Sequence, residues 1–122
     1  MSDTLHIQKK RVVEYASTGF FHGSYGAEDL HHVLNALNVE YTSETDCPEY
    51  ERDFEVKRDS LADAVSQLHK IEKGEEPTDV DVEYFSDTID NASITLPELI
   101  DCFNFLLEMS DQTHDYIYVS FF

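Results

Sequence analysis

The fold is decided by the stretch Thr95–Met109, which reads TLPELIDCFNFLLEM. Its apolar residues recur every three or four positions, as in a helix, at Leu96, Leu99, Ile100, Phe103, Leu106 and Leu107. Thr95 and Glu98 have the spacing of a capping box at a helix start, and Pro97 is tolerated in the first turn. We therefore predict a helix that is covered on most sides and lies in the middle of the core.

The composition indicates one folded domain spanning residues 1–122. Hydrophobic residues make up 41% and aromatic residues 12% of the chain, too many for a disordered protein. The sequence does not begin with a basic and then apolar signal segment, and no apolar stretch approaches the ~20 residues of a membrane helix. The two cysteines, Cys47 and Cys102, make no disulfide framework. These features predict a cytoplasmic protein with reduced thiols.

Acidic residues are in large excess. The 26 Asp and Glu residues against 8 Lys and Arg residues give a formal charge of −18. After Lys73 the chain has no Lys or Arg, although acidic residues continue as far as Asp115. A surface of one sign repels nucleic acid and anionic membranes and attracts basic proteins. We therefore expect a basic protein as partner, while an acid-rich or salt-adapted proteome is the alternative source of the same composition.

Periodicity predicts strands and helices in strict alternation. The predicted strands are residues 7–16, 49–58 (EYERDFEVKR), 79–85 (DVDVEYF) and 115–122 (DYIYVSFF), and the segment SDTIDNAS is predicted as a turn. Besides the helix over 95–109, one helix is predicted from about Ser24, and another from a Ser60 cap with Asp63 as its box partner to Gly74. The middle strands alternate apolar and charged residues, so one sheet face must be in water. We therefore predict an α+β two-layer sandwich, in which three helices cover one face of a roughly four-stranded mixed or antiparallel sheet.

Two predicted strands carry acidic residues at every second position. These acidic ladders are Glu49, Glu51, Asp53 and Glu55 in one strand and Asp79, Asp81 and Glu83 in the other. Each set would lie on one side of its strand at a spacing of about 6.6–6.8 Å. Acidic residues are poor strand formers, and like charges on neighbouring strands cost stability. A solvent-exposed sheet face needs polar residues but not acidic ones, so exposure alone does not explain these two rows. Carboxylates at this spacing are suited to the Arg and Lys side chains that hold a phosphate backbone.

The ladders predict a small protein–protein inhibitor that mimics DNA and occludes the basic groove of a nuclease or other nucleic-acid-handling protein. Phage inhibitors of host restriction or CRISPR nucleases are the functional class by physical analogy. The predicted partner-binding residues are Glu49, Glu51, Asp53, Glu55, Asp79, Asp81, Glu83 and Asp87. The structural alternative is a solvated sheet face whose charges protect against aggregation.

Three further interpretations compete with this one. The first is an immunity protein that neutralises a basic toxin, and the second is a homodimer that pairs through the aromatic edge Tyr116–Phe122. The third is a metal-binding or catalytic domain that uses carboxylates and the histidines His6, His22, His31, His32, His69 and His114. The sequence has no His-Glu-x-x-His, Cys-x-x-Cys or Gly-x-Ser-x-Gly motif, and the segment Asp87–Glu98 departs from a calcium loop at Ile89 and Ala92. We therefore predict no enzyme, no metal and no cofactor.

Overall fold

The computed structural model describes residues 5–8, 16–17, 21, 26–42, 53–110 and 112–121. The described residues form an α+β fold of four helices and an antiparallel sheet, so the predicted class is confirmed. The strands are β1 (Leu5–Gln8), β2 (Ala16–Ser17), β3 (Asp53–Lys57) and β4 (Tyr116–Phe121). The helices are α1 (Gly26–Ala36), α2 (Arg58–Glu72), α3 (Val82–Asn91) and α4 (Leu96–Met109). The predicted number of three helices is wrong.

Helix α4 is the central helix that the sequence predicted. It buries Leu99, Ile100, Cys102, Phe103 and Leu106, and it packs against α2. Its capping box is present: the amide of Glu98 donates to Thr95 Oγ1 at 3.3 Å, and the amide of Thr95 donates to Glu98 Oε1 at 3.0 Å. The prediction of this element is confirmed at both its start and its buried face.

The sheet has the strand order β2-β1-β4-β3, with antiparallel pairing throughout. Phe54 of β3 lies opposite Val119 of β4, and Val56 lies opposite Ile117. All four side chains are buried, whereas Glu55 between them is half-buried, as alternation along a strand requires. This buried face of β3 and β4 joins the same core as α4.

Strand β4 lies inside the sheet. It pairs with β1 on one side and with β3 on the other, and Tyr118, Val119 and Ser120 are paired on both sides. Backbone hydrogen bonds therefore occupy both edges of this part of β4. Among the described residues Tyr116 and Ile117 pair with β3 alone, and the predicted homodimer through a Tyr116–Phe122 edge stays a prediction.

The first predicted strand is wrong in its continuity. Residues 7–16 were expected to run in one direction, but Ile7 pairs with Ala16 and His6 with Ser17 in an antiparallel register. The chain therefore reverses between β1 and β2. Residues 9–15, which include the three consecutive basic residues of this segment, lie outside the described residues.

The third predicted strand is wrong in its type, because residues 82–91 form α3. Phe85 and Ile89 are four residues apart and are buried, as expected for one helix face. Val82 and Tyr84, which the strand pattern assigned to a sheet, are 40% and 54% exposed. Asp81 begins the helix, since its Oδ1 accepts a hydrogen bond from the amide of Tyr84 at 3.1 Å.

Helix α3 also removes two other features of the sequence interpretation. The predicted turn SDTIDNAS is largely helical, because α3 continues to Asn91. The twelve-residue segment Asp87–Glu98 cannot form a calcium loop, since its first five residues belong to α3. The predicted strict alternation of strands and helices is therefore replaced by three consecutive helices, α2, α3 and α4.

Helix α2 starts earlier than predicted. Its first residue is Arg58 and its N-cap is Lys57, whose side chain makes no capping hydrogen bond. The expected cap at Ser60 is wrong: Ser60 Oγ accepts a hydrogen bond from the amide of Glu40 at 2.8 Å and ties α2 to the segment after α1. The end is as predicted, because Gly74 follows the helix with a left-handed φ of 80°.

Helix α1 packs against α3 and supplies part of the core. Its predicted apolar face is confirmed, since Leu30, Val33 and Leu34 are buried.

Across the described residues, none of the helices combines the length and the apolar character that crossing a bilayer requires.

Candidate protein-binding surface

Helix α3 carries three exposed carboxylates on one face. Glu83, Asp87 and Asp90 occupy positions i, i+4 and i+7, and we call them the acidic stripe. On a helix these positions form a line whose members are separated by a rise of about 6.0 and 4.5 Å along the axis. The buried residues Phe85 and Ile89 fix the opposite face of α3 in the core, so the stripe is held towards solvent.

The acidic stripe is not explained by the stability of α3 alone. Glu83 lies in the first turn, where the helix dipole favours a negative charge. Asp90 lies in the last turn, where the dipole disfavours one, and the last turn has no basic residue. Glu83 and Asp87 repel each other at i, i+4. At least part of this charge therefore costs the helix stability.

Within the described part of the chain, no ion pair joins the acidic stripe to a basic residue. Lys57 Nζ lies 3.3 Å from the Glu40 carboxylate. The Arg58 guanidinium donates to the carbonyls of Leu107 and His114, each at 3.0 Å, and to a serine hydroxyl. The stripe therefore presents negative charge that the described basic residues do not neutralise.

The first acidic ladder lies mostly outside the described residues. Glu49 and Glu51 belong to the undescribed segment, and Asp53 is described only through its backbone in β3. Glu55 is half-buried, on the sheet face opposite Phe54. Its backbone pairs with Thr42, whose amide donates to the Glu55 carbonyl at 2.8 Å. The prediction that these four carboxylates form one row stays a prediction.

The second acidic ladder is wrong. Asp79 lies in the loop before α3 with a left-handed φ of 58°, and its carbonyl accepts a hydrogen bond from Asn38 Nδ2 at 2.5 Å. Asp81 is the N-cap of α3, and only Glu83 lies within the helix. Three carboxylates expected along one strand are thus divided between a loop, a cap and a helix face. Glu83 and Asp87 come together on α3, where they are joined by Asp90.

Asp90 was missed because the segment around it was interpreted as a turn. The signal for α3 is present in the sequence: an Asp cap at position 81 precedes Phe85 and Ile89 at helical spacing. Val80, Val82 and Tyr84 alternate equally well as a strand, and this shorter pattern concealed the helix. A helix from residue 82 would have placed Asp90 beside Asp87.

A narrow groove runs between α1 and α3 beside the acidic stripe. This α1–α3 groove has a volume of about 160 Å³ and is lined by Asp29, His32, Tyr84, Thr88 and Asn91. Burial raises the pKa of the Asp29 carboxyl, while His32 acts to lower it and Glu28 to raise it. The groove thus combines a partly desolvated acid with an exposed aromatic ring.

A second, more open groove of about 340 Å³ lies between α2 and the segments that follow α1 and precede α3. Hydrogen bonds within the chain occupy several of its polar groups. The amide of Thr78 donates to Gln67 Oε1 at 2.6 Å, and Ser60 Oγ accepts from the amide of Glu40. These bonds connect separate segments of the chain. The polar groups that line this groove therefore contribute to the stability of the fold, and they do not by themselves indicate a binding site.

The histidines do not form a metal site in the part of the chain that the structure describes. No three His, Cys, Asp or Glu side chains come together there in a way that could hold an ion. His31 is fully buried, with its ring 4.2 Å from that of Phe54 and 5.0 Å from that of Tyr41 between centroids. This histidine packs as an aromatic residue of the core. His22 and Cys47 lie outside the described residues.

Comparison with known proteins returns no relative: no family model, curated protein or solved structure matches this chain. The features of the chain that indicate a function are the charge of the acidic stripe, its exposure, and the groove beside it.

Proposed function

We propose that this protein is a small acidic inhibitor that binds the basic groove of a nucleic-acid-handling protein and excludes nucleic acid from it. The observation that carries the proposal is the acidic stripe, three exposed carboxylates on one face of α3 with no basic ion-pair partner among the described residues. The protein acts by occlusion rather than by catalysis. Complementary charge would give it fast association that weakens with salt.

The spacing of the stripe supports a phosphate-mimicking role. Its carboxylates are separated by a rise of about 4.5 to 6.0 Å along α3, which compares with one phosphate per about 3.4 Å of axis on each DNA strand, whose backbone runs obliquely to that axis. Each carboxylate can accept the paired hydrogen bonds that a guanidinium gives to a phosphate. In this proposal the helix takes the place of one backbone strand of DNA, whereas the sequence interpretation assigned that role to a sheet face.

Other exposed acids add to the negative field of the molecule. Glu98, Asp101 and Glu108 are exposed on α4, and Asp79 lies in the loop before α3. Charges of one sign raise the rate at which an oppositely charged partner is captured, at distances up to the Debye length of about 8–10 Å at physiological salt. They support steering, whereas the stripe supplies the direct contacts.

The proposed setting is the cytoplasm, with a host restriction or CRISPR nuclease as the partner of a phage-type inhibitor. An immunity protein that neutralises a basic toxin would use the same carboxylates. In both cases the partner is a basic protein, and identification of that protein separates the two.

We also infer that the helices cover one face of the sheet, as in a two-layer sandwich. The support is the burial of Phe54, Val56, Ile117 and Val119 on one face of β3 and β4, together with the contacts of α2 with β3. On the opposite face Tyr116 is 38% exposed.

The test is capture of a partner by the tagged protein from its native host, with elution along a salt gradient and identification by mass spectrometry. The α3 pair variant, Glu83→Gln/Asp87→Asn, removes two charges of the stripe. We expect the wild type to retain a basic nucleic-acid-binding protein that moderate salt releases. The variant should bind the purified partner at least about tenfold more weakly, since close charge pairs across an interface contribute about 1.5 kcal/mol or more.

The matched control is the loop pair variant, Glu75→Gln/Glu76→Gln, which makes the same change in net charge at two exposed residues after α2. It should keep most of the affinity, and DNA should compete with the wild type for the partner. Equal binding by the α3 pair variant and the wild type would contradict the proposal, as would a captured partner that holds this protein and DNA at the same time.

A further inference from the structure

The α1–α3 groove and the acidic stripe lie side by side on the same helix. Each α3 residue of the groove directly follows a member of the stripe: Tyr84 follows Glu83, Thr88 follows Asp87, and Asn91 follows Asp90. One residue turns the side-chain direction by about 100°, so the two rows run in parallel. A partner that covers the stripe therefore also reaches the groove.

We propose that the α1–α3 groove receives an arginine side chain of the basic partner and is the anchor point of the interface, an inference that rests on the proposed function. The occupant follows from the chemistry of the lining. A guanidinium has five N–H donors, a positive charge and two flat faces. The groove offers hydrogen-bond acceptors, a carboxylate and an aromatic ring to match them.

The acceptors are Asp29, Thr88 and Asn91. Asp29 can accept two hydrogen bonds side by side from a guanidinium. The Thr88 hydroxyl donates its own proton to the Tyr84 carbonyl at 2.8 Å, which leaves its oxygen lone pairs available as acceptors. Burial raises the pKa of Asp29, and a cation held against this carboxylate would lower that pKa again.

Tyr84 distinguishes arginine from lysine in this groove. Its side chain is 54% exposed although it lies on a helix that packs into the core. Guanidinium groups stack on aromatic faces more often than ammonium groups do, and their weaker hydration makes removal from water less costly. An arginine that inserts beside the ring would cover an aromatic surface that is otherwise open to solvent.

The test measures the binding of nona-arginine and nona-lysine peptides to the full-length protein by calorimetry at fixed salt. We expect the wild type to prefer nona-arginine. Tyr84→Ser should reduce this preference by about two- to fivefold, the range that cation–π contacts at exposed sites give, and should leave nona-lysine binding nearly unchanged. Asp29→Asn should reduce the preference as well.

The control is Glu83→Gln, which removes one charge from the stripe without changing the lining of the groove. It matches the charge change of Asp29→Asn and should weaken both peptides by the same factor. Thermal melts of the three variants establish that each is folded. An arginine preference that survives in both Tyr84→Ser and Asp29→Asn would overturn the inference.

The two proposals fail in different ways. The inference depends on the ratio of the two peptide affinities, whereas the proposed function depends on the partner affinity of the α3 pair variant. Suppose that the α3 pair variant binds the partner as tightly as the wild type does, while the wild type prefers nona-arginine and the Tyr84→Ser and Asp29→Asn variants lose that preference. This result would refute the inhibitor and keep the groove as an arginine site. The reverse result would refute the groove alone.

Discussion

Two neighbouring basic residues, Lys57 and Arg58, have very different surroundings. Lys57 contacts Glu40 at the surface, where both side chains are well exposed at 41% and 69%. The Arg58 guanidinium instead donates to the carbonyls of Leu107 and His114 and to Ser110 Oγ, at 2.8–3.0 Å. It thereby supplies partners and positive charge at the C-terminal end of α4, where helix carbonyls lack both.

Arg58→Met should lower the free energy of unfolding by about 2–3 kcal/mol. Hydrogen bonds from a charged donor contribute more to stability than hydrogen bonds between neutral groups, and the substitution leaves the three acceptors without this donor. Urea denaturation measures the loss. Lys57→Met is the matched control, since it removes the same charge one residue away. A solvent-exposed ion pair contributes little to stability, so the control should lose much less. Equal losses in the two variants would show that Arg58 acts only through its charge.

The capping box of α4 shows what residue spacing can predict. Thr95 and Glu98 were identified from three-residue spacing alone, and their hydrogen bonds lower the pKa of Glu98. A carboxyl with a lowered folded-state pKa contributes its stability fully above its unfolded pKa and loses it as pH falls through the folded pKa. Spacing is sufficient here because both partners of the contact lie within four residues.

At the scale of elements, the sequence predicts long patterns better than short ones. Helices α1 and α4 repeat their apolar spacing over three turns or more, so the strand interpretation never competes with them. Helix α3 has ten residues and buries few of them, and its first residues alternate like a strand. The acidic residues of the second ladder were therefore assigned to the wrong element.

Asp81 provides a direct test of α3 as a helix. Asp81→Ala removes the N-cap, so it should lower the free energy of unfolding by about 1 kcal/mol. Asp81→Asn makes the same change in charge but keeps a side-chain oxygen that caps well, and it should stay close to the wild type. Thermal or urea unfolding distinguishes the two. Similar stability for both variants would mean that Asp81 does not cap a helix.

At the scale of the whole molecule, contacts between distant segments were beyond prediction from one sequence. The sheet joins the two ends of the described chain, since β4 pairs with both β1 and β3. Local patterns contain no information about which strands become neighbours. Leu5 and Phe121, for example, are paired in the sheet although more than a hundred residues separate them in the sequence. The α1–α3 groove was missed for the same reason, because its walls come from separate segments.

The charge of −18 gives the whole molecule a characteristic response to salt. Carboxylates that repel one another destabilise the compact state, and salt screens them, since the Debye length falls from about 10 Å at 0.1 M to about 3 Å at 1 M. Raising NaCl from 0.05 to 0.5 M should therefore increase Tm by about 4 °C, the shift expected for roughly 1 kcal/mol in a domain of this size. Over the same range, binding to a basic partner should weaken by about tenfold or more, because the same screening reduces attraction across the interface.

These opposite responses distinguish charge retained for binding from charge that stabilises the fold. The α3 pair variant has less repulsion along its helix, so at low salt it should melt above the wild type, and its Tm should rise less as NaCl is added. Scanning calorimetry and partner titrations at matched salt concentrations measure both effects. A wild-type Tm that falls with added NaCl would mean that the acidic residues form net favourable ion pairs within the fold. In that case the acidic residues would contribute to the stability of the protein, and the charge of the acidic stripe would no longer argue for a basic partner.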